Sequence, residues 1–140
     1  MQPLLPICSF RSSLRDDPQQ HPKGLSIAEF IKAGLEKDGY RTSALDNYND
    51  IAWSLDVRIN GARVWFFVGF LGLEAAEWQL ITCSGLSFWQ RLFGRKDEKE
   101  RQELAVAIHR LLSQSDTFSS IKWSRTFSPK GQFEWRASPA

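Results

Sequence analysis

From Ile51 to Ile59 apolar and polar positions alternate without a break: Ile51, Trp53, Leu55, Val57 and Ile59 against Ala52, Ser54, Asp56 and Arg58. Asn60-Gly61 follows, two residues that tolerate the positive φ of a type I′ turn. The pattern therefore predicts a hairpin whose second strand runs from Ala62 to about Phe70. A two-residue turn also fixes the register. Ile59 then lies opposite Ala62, Val57 opposite Val64, Leu55 opposite Phe66, and Trp53 opposite Val68, an apolar face that belongs in the core. The reverse face pairs Arg58 with Arg63, Asp56 with Trp65, Ser54 with Phe67, and Ala52 with Gly69. It sets two large rings among charged and small residues, an unusual solvent face.

Upstream, Ser26-Ile27-Ala28-Glu29 has capping-box spacing, and Ile27, Phe30, Ile31 and Leu35 recur at helical intervals until Gly39. Downstream, Trp78 to Ser84 reads as a third strand, followed by a ring-rich linker from Ser84 to Lys96. A second helix is predicted from Asp97 to Ser113–Ser115, with Asp97 as cap and Leu104, Ile108, Leu111 and Leu112 as its buried stripe. Ile121 to Ser124 reads as a fourth strand, Ser128 to Gly131 as a turn, and Gln132 to Trp135 as an optional fifth strand. The order α-β-β-β-α-β(-β) implies an α+β two-layer sandwich: an antiparallel sheet of four to five strands with two helices on one face.

The first 23 residues show neither period and contain Pro3, Pro6, Pro18 and Pro22. They read as a flexible tail (residues 1–23) before a single domain (24–136) and a frayed C-terminus (137–140). Leu4, Leu5, Ile7 and Phe10 form a short apolar patch that can dock on that domain. No secretory signal is recognisable, and Cys8 and Cys83 are too few for a disulfide framework, so a cytoplasmic location is expected. The longest apolar run, Val64 to Leu73, is far short of the roughly 20 residues of a membrane helix, and no membrane association is expected.

Composition narrows the chemistry. Lys and Arg total 18 against 16 Asp and Glu, so no strong field concentrates a polyanion. Six Trp and ten Phe beside two Tyr are the conspicuous excess. Cys83 and His109 are the sole pair with the residue types of thiol catalysis, but no local motif assembles them, and no enzyme activity is expected. Asp46-Asn47-Tyr48-Asn49-Asp50 lacks the glycine and terminal glutamate of a calcium loop and reads as a polar turn with Asx-type bonds. No cofactor or metal is called for.

The ordered pieces Asp46-Asn47-Tyr48-Asn49-Asp50-Ile51-Ala52-Trp53, Val68-Gly69, Trp78, Phe93-Gly94-Arg95 and Ile121-Lys122-Trp123 resemble a group of small bacterial proteins of uncharacterised function. That resemblance implies an α+β domain and carries no activity. The element order is also similar to that of type III secretion chaperones, which bind effector segments on apolar surface, and of double-stranded RNA-binding domains. In the latter the second helix opens with lysines, whereas here Asp97, Glu98 and Glu100 offset Lys96, Lys99 and Arg101.

These readings converge on a non-enzymatic protein-binding domain, of a toxin-immunity or chaperone-like kind, with a protein partner or a second copy of the chain. Trp65 and Phe67 are its expected anchors, and Asp56, Arg58 and Arg63 set orientation. The alternative is nucleic-acid binding through a basic and aromatic surface of Arg91, Arg95, Lys96, Lys122, Arg125, Lys130 and Trp135.

Overall fold

Asn60 and Gly61 adopt positive φ, 51° and 78°, and the turn they make joins the two longest strands of the sheet. The computed structural model describes residues 4–70, 77–125 and 135–139. Its elements are β1 (Ile7–Ser12), α1 (Leu25–Lys37), β2 (Arg41–Thr42), β3 (Asp46–Tyr48), β4 (Ala52–Ile59), β5 (Ala62–Gly69), β6 (Trp78–Ser84), α2 (Phe88–Leu92), α3 (Glu98–Ser113) and β7 (Phe118–Ser124). The β4–β5 register is the predicted one at every pair from Trp53↔Val68 to Ile59↔Ala62.

The fold is α+β, with seven strands in one antiparallel sheet of order β2-β4-β5-β6-β1-β7, β3 also pairing with β4. Helices α1 and α3 pack on one face. Ile27, Ile31 and Leu35 from α1 and Leu104, Ile108 and Leu112 from α3 share one core with Leu55, Val57, Val64, Phe66, Leu80 and Trp123. Each such side chain contributes on the order of 2 kcal/mol by leaving water. Gly39, at φ 95°, ends α1 as expected: its N–H bonds Glu36 C=O and that of Tyr40 bonds Leu35 C=O.

Several expectations are corrected. The sheet has seven strands rather than four or five, and α2 is a third helix within the supposed linker. The supposed tail supplies β1, which lies between β6 and β7 with Cys8 and Phe10 fully buried. Ile7, Cys8, Ser9 and Phe10 are all buried, so the strand is covered on both sides and no alternation betrays it. The rest of that segment is pinned too, because the Trp53 indole donates to Pro22 C=O at 2.8 Å.

Ser26 does not cap α1. The Asp16 carboxylate accepts from the backbone N–H groups of Gly24 (2.7 Å) and Ser26 (3.0 Å), so the acceptor comes from outside the helix. Asp97 is the N-cap residue of α3 but its side chain makes no capping bond. Ile51 precedes β4 and is 52% exposed rather than core. At the C-terminus Pro139 is buried and its C=O accepts from Gln102 Nε2 at 2.6 Å, so this end is not frayed throughout. The predicted turn at Ser128–Gly131 and most of the optional strand Gln132–Trp135 lie outside the described residues, although Arg136 bridges Trp123.

Candidate functional site

Strand alternation gives the sheet a second face, away from α1 and α3. Its two halves differ. Across β6, β1 and β7, the residues Ile7, Ser9, Gln79 and Ser124 are buried. The buried Glu77 carboxylate gathers this half: it accepts from Ser9 Oγ at 2.6 Å and lies 3.3 Å from Lys122 Nζ and 3.8 Å from Arg11 Nε. Burial opposes its charge, but the Ser9 and Lys122 hydrogen bonds and both cations outweigh that and hold the carboxyl below its ordinary value. No signal in the sequence pointed to this arrangement.

Across β4 and β5 the same face is open and carries the predicted anchors. Trp65 and Phe67 are half-buried, with centroids 5.7 Å apart. Tyr48 completes a cluster, stacked on Phe67 at 4.6 Å and tilted against Trp65 at 5.6 Å. The Trp65 indole donates to Ser84 C=O at 3.0 Å. Tyr48 arrives because Asn49 and Asp50, both at positive φ, turn β3 back onto β4. Asn47 braces that turn through its side chain, accepting from Asp50 N–H at 2.8 Å, which is the Asx-type structure expected.

Next to the rings stands a row of arginines. Arg41 is paired with Arg58, and Arg58 with Arg63, across three adjacent strands. Like charges placed directly opposite destabilise a sheet. Asp56 relieves one of them through a two-pronged pair with Arg63 at 2.9 and 3.1 Å. Among the described residues no carboxylate pairs with Arg41 or Arg58. The pair Asp56–Arg63 borders two adjoining grooves. One, of about 730 Å³, includes Arg41, Ser43, Arg58 and Asn60 in its lining; the other, of about 500 Å³, includes Asp46, Tyr48, Ser54 and Trp65. Lys32 holds β2 in place, donating to Thr42 Oγ1 at 2.8 Å and Ser43 C=O at 2.6 Å.

The alternative basic surface is divided. Arg91, Arg95 and Lys96 lie together around the start of α3. Lys122 lies at the level of Ser9 and Gln79, with its ammonium on Glu77 and 4.8 Å from the centre of the Trp135 ring. Arg125 is exposed just beyond β7, and Lys130 lies outside the described residues.

Cys83 and His109 are not brought together. Cys83 is in register with Trp65 on the open face, and burial, against a smaller opposing influence of Arg101, pushes its thiol up to about 11. His109 lies on α3, where its Nδ1 accepts from the Trp123 indole at 3.0 Å. That bond leaves the proton on Nε2, which donates to Ser113 Oγ at 3.3 Å. Burial lowers its pKa, as suits an acceptor at the core margin. Among the described residues no group of His, Cys, Asp and Glu could hold a metal ion, and no helix is long and apolar enough to cross a membrane.

The conspicuous feature missed by the pattern is α2. Phe88, Trp89, Leu92 and Phe93 are 71%, 64%, 62% and 79% exposed, and the helix buries no residue. Its sequence signal was present in Ser87 and Gln90, which form a capping box. Compared with known protein families, curated proteins and solved structures, the chain matches none.

Proposed function

We propose that this chain is a non-enzymatic protein-binding domain, toxin-immunity-like or chaperone-like, acting in the cytoplasm. The observation that carries the reading is the cluster of Tyr48, Trp65 and Phe67 on a sheet half that neither long helix covers. Half-exposed rings beside charged grooves match the composition of interface hot spots. Arg41 and Arg58, which lack carboxylate partners among the described residues, favour a partner segment that is acidic. Such a segment would lay its carboxylates along the arginine row and an apolar side chain against Trp65. A second copy of the chain is the other protein partner that this reading admits.

Photo-crosslinking tests it. A photoreactive residue placed at Arg58 should capture a partner in cells, whereas one at Glu29, exposed on α1, should not. The captured protein, once purified, should bind wild type at least tenfold more tightly than the Arg58→Glu variant. Equal affinity for both, or identical capture from both positions, would refute the assignment. Sedimentation across a concentration series separates a self-associating chain from a heterologous complex.

A further inference from the structure

Helix α2 presents a contradiction. Isolated helices of this length do not persist in water, and packing usually supplies what is missing. Here packing supplies nothing, since no residue of α2 is buried. Local hydrogen bonds hold it instead. Gln90 N–H donates to Ser87 Oγ at 3.2 Å and Ser87 N–H to Gln90 Oε1 at 2.9 Å. At the other end Gly94, with φ 82°, lets its own N–H reach Arg91 C=O and that of Arg95 reach Gln90 C=O, each at 3.0 Å. The backbone is thus largely self-satisfied, while the large side chains point into solvent.

Basic charge outweighs acidic charge around this knob, although Asp97 and Glu98 line the same groove as Arg91, Arg95 and Lys96. No acidic residue occurs from Trp78 to Lys96, and Arg91, Arg95 and Lys96 flank the rings. Arg63, its guanidinium paired with Asp56, lies against Gly85 just before α2 begins. We propose that α2 is a membrane-surface anchor: Phe88, Trp89, Leu92 and Phe93 enter the interfacial layer of an anionic bilayer while Arg91, Arg95 and Lys96 meet lipid phosphates. A protein groove can seat the same apolar face, and it is the basic collar that favours an anionic bilayer over it. A bilayer interface demands a satisfied backbone, aromatic and aliphatic bulk, and a cationic collar. Among the described residues no helix is long and apolar enough to cross a membrane, and attachment at the surface requires none.

The full chain is tested by co-sedimentation with phosphatidylcholine vesicles, with and without phosphatidylserine. Wild type sediments with the phosphatidylserine vesicles and stays in solution with phosphatidylcholine alone. Each Gln substitution at Arg91, Arg95 or Lys96 lowers partitioning about fivefold, and high salt has the same sense. The double variant Trp89→Ser, Phe93→Ser lowers it about a hundredfold or more. Its melting temperature stays at the wild-type value, because neither side chain is buried. Brominated lipid quenches wild-type tryptophan fluorescence, and Trp89→Phe loses that quenching. Absence of binding to phosphatidylserine vesicles overturns the proposal. So does undiminished binding by the double variant, or equal ring-independent retention by RNA or polyglutamate. Because these residues are separate from Tyr48, Trp65 and Phe67, failure here leaves the protein-binding reading standing.

Discussion

Tyr48, Trp65 and Phe67 hold one another against the sheet, whereas Phe88, Trp89, Leu92 and Phe93 are carried by a backbone that caps itself, with Phe88 and Trp89 meeting edge to face at 5.6 Å. Both groups draw on the same excess of aromatic residues. The first is tied into the fold, so any change there alters stability and, on the proposed function, recognition with it. The second contributes almost nothing to the fold and is free to serve contact with something else. Surface rings therefore need to be sorted by what they touch before their number means anything.

The largest effect should come from Trp65→Ala, which removes two ring contacts and the bond to Ser84. Urea unfolding should show a loss of about 2–3 kcal/mol, below the range for a fully buried tryptophan. A loss under about 0.5 kcal/mol would make this cluster as dispensable as α2 and erase the contrast. Tyr48→Ala should cost about 1 kcal/mol in the same measurement, through lost stacking on Phe67.

Trp123 adds a third kind of ring, fully buried and anchored by one imidazole. His109 has a folded-state pKa below its ordinary 6.5, so the unfolded chain takes up the proton first. Stability from this source is complete above 6.5 and declines as pH falls below it. Denaturation midpoints from pH 7.5 to 5 should show that decline, and His109→Gln should flatten it. The smallest effect belongs to Phe93→Ala, within about 0.5 kcal/mol of wild type by urea unfolding. A clear loss there would mean that α2 is packed after all.

How far the sequence revealed this depends on which force shapes each segment. The β4–β5 hairpin was legible to the individual pair, because Asn60-Gly61 fixes the turn and one face is buried while the other is not. The placement of Trp65 and Phe67 on the open face followed from that register. Tyr48 did not, since its position depends on a two-sided turn at Asn49-Asp50 and a three-residue strand too short to show a period. Strand β1 was hidden because burial on both faces removes alternation, and the neighbouring prolines mimic a tail. The cap on α1 escapes local spacing for a related reason. Asp16, ten residues before Ser26 in sequence, is brought in by the chain's path rather than by local spacing. Helix α2 carries its capping box openly, but it buries no residue and so shows no core-facing stripe of helical period.

The placement of β1 has a consequence for how the chain assembles. Cys8 pairs with Leu80 on one side and with Trp123 on the other, so this strand finds its second neighbour only once the far-downstream β7 segment is available. The β4–β5 hairpin can form during synthesis, but the sheet remains split between β6 and β7 until β1 threads between them. Contacts of such long sequence separation are slow to form. Pulse-labelled hydrogen exchange during refolding should protect Val64 and Phe66 before Cys8 and Ser9. Until that closing step, two bare strand edges stay exposed, and a chaperone that shields them would act on this protein at its last moment of assembly rather than its first.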